Sequence, residues 1–369
     1  MHNPSIIYYA NMKNHRSQKI PILYSSKHIF HEPKFEYDRG FQIPYQEQAR
    51  RIESAHEALL QLPFTQEFQP APELTIDQIA RVHSTALIEH LLERSAFARQ
   101  QEQIMGQDDP YLYPWIYPLN QQMREGLLKS PDSAGCYAFD TYTPIGKNTW
   151  QAVYASANLA YCASQSIIHQ ESQVAYALCR PPGHHAGREM IGGYCYLNNA
   201  AIAADQLKQA WGRGAILDID YHHGNGTQEI FWDDPEVLFV SLHADPEAEY
   251  PFFSGYADER GGAQALGANI NLPLPKGCDD QTYLHALSQA LDAIRVYQPN
   301  WLVLSAGYDT CQEDPSTYFN LTDQAFSEIG KRIGALNLPT VIMHEGGYAI
   351  EHNGLLSARL LSGIIDSST

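Results

Sequence analysis

The stretch LDIDYHHGNGT, residues 217–227, sets Asp218, Asp220 and His222 at every second position of a run otherwise apolar at Ala215, Ile216, Leu217 and Ile219. Side chains on a strand alternate between faces, so the three would share one. A buried carboxylate is costly unless it is paired or bound to a cation. Two carboxylates and an imidazole on one face repel and raise at least one pKa unless a cation sits among them. Asp220 and His222 project in parallel and could hold the same ion. Asp309, closing the run WLVLSAGYD, is the best candidate for a third ligand. Such an Asp/His/Asp set keeps open positions for water and substrate, as expected of catalytic rather than structural zinc. For this strand taken alone, the alternative is an ordinary hydrogen-bonded acidic cluster.

A second element is the pair His184–His185 in the loop RPPGHHAG. Beside a water activated by a metal, imidazoles could move protons, since they titrate near neutral pH; alone, such a pair more often does nothing catalytic. Asp218 is not needed as a metal ligand and could orient one of these rings. Tyr348 follows Gly346 and Gly347, whose missing side chains allow close approach, and its hydroxyl could donate to a developing oxyanion. Its alternative is a surface turn.

The elements that must position these groups are legible as alternation. The runs VAYALCR, GAILDID, EVLFVSLHA, ANINLPLP, NWLVLSAGYD and PTVIMHEGGY read as strands, and LNNAAIAADQLKQAW, DQTYLHALSQALDAIRVY and DQAFSEIGKRIGAL as helices between them. Nearly continuous apolar strands alternating with helices predict an α/β fold with a mostly parallel sheet covered on both faces. In such sheets a site lies beyond the carboxyl ends of the strands. That is where His, Asp and Tyr gather beside Gly and Pro. Upstream, helical spacing runs from FQIPYQEQARRIESAHEALL through TIDQIARVHSTALIEHLLERSAF, with Thr75 a candidate cap. Residues 1–20 read as an N-terminal extension or outer strand. Residues 98–135, rich in Pro, Tyr and Trp, read as a long ordered loop of the kind used at a subunit interface or substrate rim.

Composition limits the function classes. The 369 residues carry a net charge of −18, which argues against nucleic acid and favours a cationic ligand. Six scattered cysteines without a CxxC pair suggest a reducing compartment. Neither a secretory signal nor a membrane-spanning run is apparent, so a soluble, cytoplasmic protein is expected.

Taken together, RPPGHHA, GGYCYLNNAA, LDIDYHHGNGTQEIF, VSLHADPEAEYPFFSGYADE and EGGY resemble the zinc-dependent histone deacetylase superfamily, within it the class II and acetylpolyamine amidohydrolase branch. The resemblance spans roughly residues 20–365. It implies the arginase/deacetylase fold, a central sheet of about eight strands with helices on both faces, as a single domain over residues 21–369. It also implies a tunnel leading to zinc, or to ferrous iron in the cell. Asp220, His222 and Asp309 match the metal ligands. His185 matches the general base and acid, and His184 its electrostatic partner, backed by Asp218. Asn225 stands where class I relatives carry Asp. Tyr348 matches the oxyanion tyrosine, and Gly193, Tyr194 and Phe253 the tunnel wall. A potassium site matches Asp218, Ser241 and the carbonyls of Asp220, His222 and Leu242.

The substrate implied is a small cationic acetylated amine, or alternatively an acetyllysine side chain. The segment 98–135 resembles an insertion that narrows the tunnel and forms a homodimer interface. Relatives carry there a carboxylate for the distant ammonium; this chain offers Glu125, and Asp132 beside Lys129, without singling one out. An arginase-type hydrolase would need a two-metal, carboxylate-rich cluster. A non-catalytic acyl-lysine binder would be expected to lack a ligand or the tyrosine, and neither is missing.

Overall fold

The computed structural model describes residues 19–105, 111–130 and 133–367. In chain order its strands are β1 (Ile20–Leu23), β2 (Phe35–Asp38), β3 (Phe41–Pro44), β4 (Thr65–Phe68), β5 (Tyr111–Leu112), β6 (Ile145–Gly146), β7 (Val174–Ala177), β8 (Gly214–Asp218), β9 (Val237–Ala244), β10 (Asn269–Leu274), β11 (Leu302–Ala306) and β12 (Thr340–His344). Eight of them form one sheet in the order β10-β9-β8-β11-β12-β7-β1-β4. Every pairing in it is parallel. The expected mostly parallel, two-faced α/β sheet is therefore present, and it is parallel throughout.

Strand alternation divides the core into two layers. Ala215 and Leu217 of β8, Leu302 and Leu304 of β11 and Ile342 of β12 face the helices Arg50–Leu60, Asp280–Tyr297, Asp323–Gly334 and Ile350–Asp366. Ile216, Val303, Val341 and Met343 face the helices Thr149–Ile168 and Asn199–Trp211 on the other side. With both faces covered, these strands are buried at every position, which is why their sequences read as continuous apolar runs. Among the described residues, no helix is long and apolar enough to cross a membrane.

Several sequence expectations change. β1 and β4 are too short for a visible period, and edge strand β4 is largely polar, TQEF. Ile20 already opens β1, so the expected extension ends inside the sheet, while residues 1–18 lie outside the described residues. The supposed helical onset at Phe41 is instead β3, paired antiparallel with β2. Arg39 and Gly40 turn that hairpin with φ of 49° and 85°, the left-handed pair that suits tight hairpins. Thr75 does cap a helix, through a capping box with Gln78.

Residues 98–135 are not one loop. The helix Thr85–Met105 runs into the segment on good helix formers, β5 pairs with β6, and Gln121–Leu127 is helical. Asp132 lies outside the described residues.

β8 stops at Asp218, so Asp220 and His222 are not on the strand. Their alignment comes from successive turns instead. Asp218 Oδ1 accepts the Asp220 N–H at 3.1 Å, and Asp220 Oδ1 accepts the His222 N–H at 2.9 Å. Short carboxylates bonding the backbone two residues on is a common turn device.

Candidate active site

The carboxyl ends of β7, β8, β11 and β12 converge as expected. Ligand atoms of Asp220, His222 and Asp309 lie within 4.8 Å of one another. His222 Nδ1 stands 3.1 Å from Asp309 Oδ2 and 3.4 Å from Asp220 Oδ1. The outer carboxylate oxygens are already committed: Asp220 Oδ2 accepts the Gly346 N–H at 2.8 Å and Asp309 Oδ1 the Tyr221 N–H at 2.9 Å. One ring nitrogen carries at most one proton, yet two inner oxygens converge on it. A divalent cation fits that convergence. Gly346 is required here, since a Cβ on it would meet Asp309 Oδ2 at 2.4 Å.

The electrostatics agree with a cation site. Burial opposes a charge on His222, but hydrogen bonds to Asp220 and Asp309 push it up to about 10. Burial and the neighbouring Asp220 charge push Asp309 up to about 7. Protons occupy positions that an ion would claim.

The tandem histidines sit 4.0 Å apart, ring centre to ring centre, in opposite environments. His184 Nδ1 lies 3.1 Å from Asp218 Oδ2. Against the cost of burial, the Asp220 and Asp218 charges raise His184 to about 10. His185 Nδ1 lies 2.7 Å from Asn225 Oδ1. Its pKa is held well below the usual range by burial and by the His184 and His222 charges. An amide oxygen can only accept, so Nδ1 of His185 donates and Nε2 keeps a free lone pair. The pair therefore comprises one cationic ring and one neutral ring that can accept a proton.

Two buried groups that sequence reading did not single out position these loops. Glu345 Oε2 accepts the N–H groups of Gly183 and His184 at 2.7 and 3.2 Å. Glu345, His184 and Cys195 form a second cluster of ligand-type atoms; Glu345 Oε2 is bonded to that loop while its Oε1 is buried without a hydrogen-bond partner, and the Cys195 thiol donates to the Gly193 carbonyl. Glu47 receives Arg51 at 2.5 Å and Arg180 at 2.9 Å, all fully buried. Arg180 anchors the histidine loop, and Arg51 donates to the carbonyls of Glu345 and Gly347. The Arg51 guanidinium also lies 4.9 Å from the Tyr348 ring centre. Removing one member of a buried ionic network strands the other charges, so Glu47→Ala is expected to cost about 3–5 kcal/mol of folding stability. Urea unfolding measures it, and a loss below about 1 kcal/mol would rule out that role for Glu47.

A cavity of about 340 Å³ reaches this constellation, with His185, His222 and Tyr348 among its lining residues. Gly193 and Tyr194 are among its lining residues, while the Phe253 ring, 55% exposed, packs edge-on against Phe139. Tyr250, three residues before Phe253, lines it too, its ring perpendicular to His185 at 5.0 Å. The sequence EYPFF offered three aromatics, and its strand pattern could not choose among them. The acids of the cavity are Glu36 and Asp38 from the β2–β3 hairpin. Glu125 is exposed on its own helix, bonded by Gln121, and neither it nor Lys129 lines the cavity. Tyr194 donates to Glu36 at 3.0 Å and Tyr142 to Asp38 at 2.6 Å. The residues matched to a monovalent cation also adjoin one another: Asp218 ends β8 directly opposite Ser241 of β9, which precedes Leu242.

Comparison with known proteins agrees with this geometry. The histone deacetylase domain profile matches residues 45–364. Acetylpolyamine amidohydrolase 1 of Pseudomonas aeruginosa is 44% identical over 290 residues, 78% of this chain and 82% of that protein. Acetylpolyamine amidohydrolase 2 of the same organism is 39% identical over 342 residues, 92% of this chain and 97% of that protein. A crystal structure of an acetylpolyamine aminohydrolase from Burkholderia pseudomallei superposes with a TM-score of 0.87 at 35% identity, covering 95% of this chain and 99% of that one.

Proposed function

The chain belongs to the histone deacetylase family, and on that premise we propose that it hydrolyses the acetyl amide of a small cationic amine, an acetylated polyamine. The observation that carries this reading is one cavity shared by His185 and Tyr348 and by the carboxylates Glu36 and Asp38. A linear acetylated diamine matches both, with its amide at the histidines and its free ammonium among the acids. The names of the relatives point the same way, as does the net charge of −18.

Zinc, or ferrous iron, held by Asp220, His222 and Asp309 would supply Lewis acidity toward the amide carbonyl and the attacking water. The chain's own groups perform the proton chemistry. His185 Nε2 takes the proton of the water, its ring fixed by Asn225. The Tyr348 hydroxyl donates to the oxygen that gains charge as the carbonyl becomes tetrahedral. His185 then returns the proton to the leaving amine, and acetate departs. Burial, together with the charge of His184, which is bonded to Asp218, keeps His185 neutral. A structural potassium ion is read among Asp218, Ser241 and the carbonyls of Asp220, His222 and Leu242.

Turnover of acetylputrescine, acetylcadaverine and an acetyllysine peptide by the metal-loaded enzyme tests the substrate class. The diamines are expected to lead in kcat/KM by at least about tenfold, a difference of about 1.4 kcal/mol; preference for the peptide would overturn the reading. The acids add a pH signature. Burial pushes Glu36 up to about 7, so below that pH it turns neutral and its attraction for an ammonium fades. KM for acetylputrescine is therefore expected to rise as pH falls below 7, more than KM for an uncharged acetylated alkylamine.

Exposed Trp115, Met123, Ile116 and Tyr117 on the segment 98–135 support a homodimer formed there; sedimentation of the intact protein tests it. The cysteines are free and buried, which suits the reducing interior expected of a cytoplasmic enzyme.

A further inference from the structure

One carboxylate behind the cavity lining has no part in the chemistry above. Asp140 lies just beyond the segment 98–135, and its partners are neighbours in the lining of the passage, since a Cβ on Gly193 would meet the Tyr250 hydroxyl at 2.9 Å. Its Oδ2 accepts the Gly193 N–H at 2.7 Å and the Tyr250 hydroxyl at 2.6 Å, while Oδ1 accepts the Tyr142 N–H at 3.0 Å. Gly193 and Tyr250 both line the cavity, and each flanks His185. A Cβ on Gly193 would meet the His185 ring at 2.3 Å. Gly193 sits at a φ of +53°, which glycine adopts freely, but Tyr194 beside it is held at +66°, a conformation costly for a residue with a side chain.

We propose that Asp140 is a positioning residue that fixes the bore of the substrate passage by tying Gly193 to Tyr250. A single oxygen with two donors 2.7 and 2.6 Å away leaves little freedom for either residue. Burial pushes Asp140 up to about 6 despite these three hydrogen bonds, so it is ionised at neutral pH and its bonds are the strong, charge-assisted kind. The walls grip the alkyl chain of a linear substrate equally before and during the reaction. Loosening them therefore weakens binding without slowing the chemical step, because His185 keeps its bond to Asn225.

The proposal rests on the deacetylation reading, and the test separates the two. Asp140→Asn, Tyr250→Phe and the double variant are loaded with zinc and assayed on acetylputrescine. Asn keeps the shape but turns a donor toward donors. Asp140→Asn is expected to raise KM about 30-fold, within the range a displaced positioning contact commands, with kcat held within about threefold. Tyr250→Phe spares the Gly193 bond and is expected to raise KM about fivefold, and the double variant is expected to be no worse than Asp140→Asn alone. A merely structural role would reduce the active fraction, lowering kcat and leaving KM alone; that result overturns the proposal, as does a double variant whose KM rises by the product of the single effects. Should Asp140→Asn not fold, Tyr250→Phe decides, an unchanged KM overturning the proposal. If the parent enzyme turns over no acetylated amine, the functional reading fails first.

Discussion

Tyr348→Phe is expected to lower kcat by about 100- to 1,000-fold while KM stays within about twofold, the cost of losing one donor to a transition-state oxyanion. The size follows from when the hydroxyl matters. A planar amide oxygen in the bound substrate is a modest acceptor, whereas the tetrahedral oxygen carries nearly a full charge, so the hydrogen bond strengthens as the reaction proceeds. The donor is fixed in advance. Asp314 accepts the N–H groups of Tyr348 and Ala349, Asp220 accepts that of Gly346, and Arg51 lies against the ring. Burial pushes the phenol well above its ordinary range, although Arg51 pulls the other way, so the hydroxyl keeps its proton at any working pH. Phenylalanine preserves the ring and its contacts, leaving the fold and the metal ligands intact. Steady-state kinetics on acetylputrescine measures the effect. A kcat within tenfold of the parent would remove Tyr348 from the chemistry and leave it as a wall of the cavity.

How much of this was readable in advance depends on whether a residue's role is local. The sheet was readable because buried parallel strands write themselves as apolar runs, and the chemistry gathered at their ends as the topology demands. Asp220, His222 and Asp309 could be named because few arrangements excuse two buried carboxylates beside an imidazole. The reason first given for their alignment was wrong, since β8 ends at Asp218 and turns bring the later residues into place. What stayed hidden depends on contacts between distant segments. Glu47 meets Arg180 across 133 positions and Tyr250 meets Asp140 across 110; nothing near either residue in sequence announces the partner. Glu36 and Asp38 sit in β2, just before the stretch from Phe41 that read as helical, and nothing in their own stretch marked them, so the acids of the cavity were sought around residue 130 instead. Tyr250 lines the cavity beside His185 without having been singled out, because a motif fixes a neighbourhood rather than a rotamer.

Asp309→Ala is expected to weaken metal retention and lower kcat/KM by more than about 100-fold, since even the outer partners of metal ligands cost 10- to 100-fold when removed. The parent is expected to hold close to one divalent ion per chain. Two would move the reading to the two-metal hydrolases that share this fold class, and would need ligands beyond the Asp220, His222 and Asp309 set. The proton count gives this prediction a second readout that does not depend on turnover. Without an ion, His222 is pushed up to about 10 and is protonated at neutral pH, and Asp309, pushed up to about 7, shares a proton there. An ion needs both groups deprotonated, so binding must expel those protons. Zinc affinity is therefore expected to climb about tenfold per pH unit between 7 and 10, where only the His222 proton is displaced, and more steeply below 7, where Asp309 gives one up as well. Competition titration with a chelator across that range measures the slope. A flat dependence would mean that His222 carries no proton in the metal-free site. In Asp309→Ala the steep limb below pH 7 is expected to vanish from the residual affinity, because the group that supplied its second proton is gone.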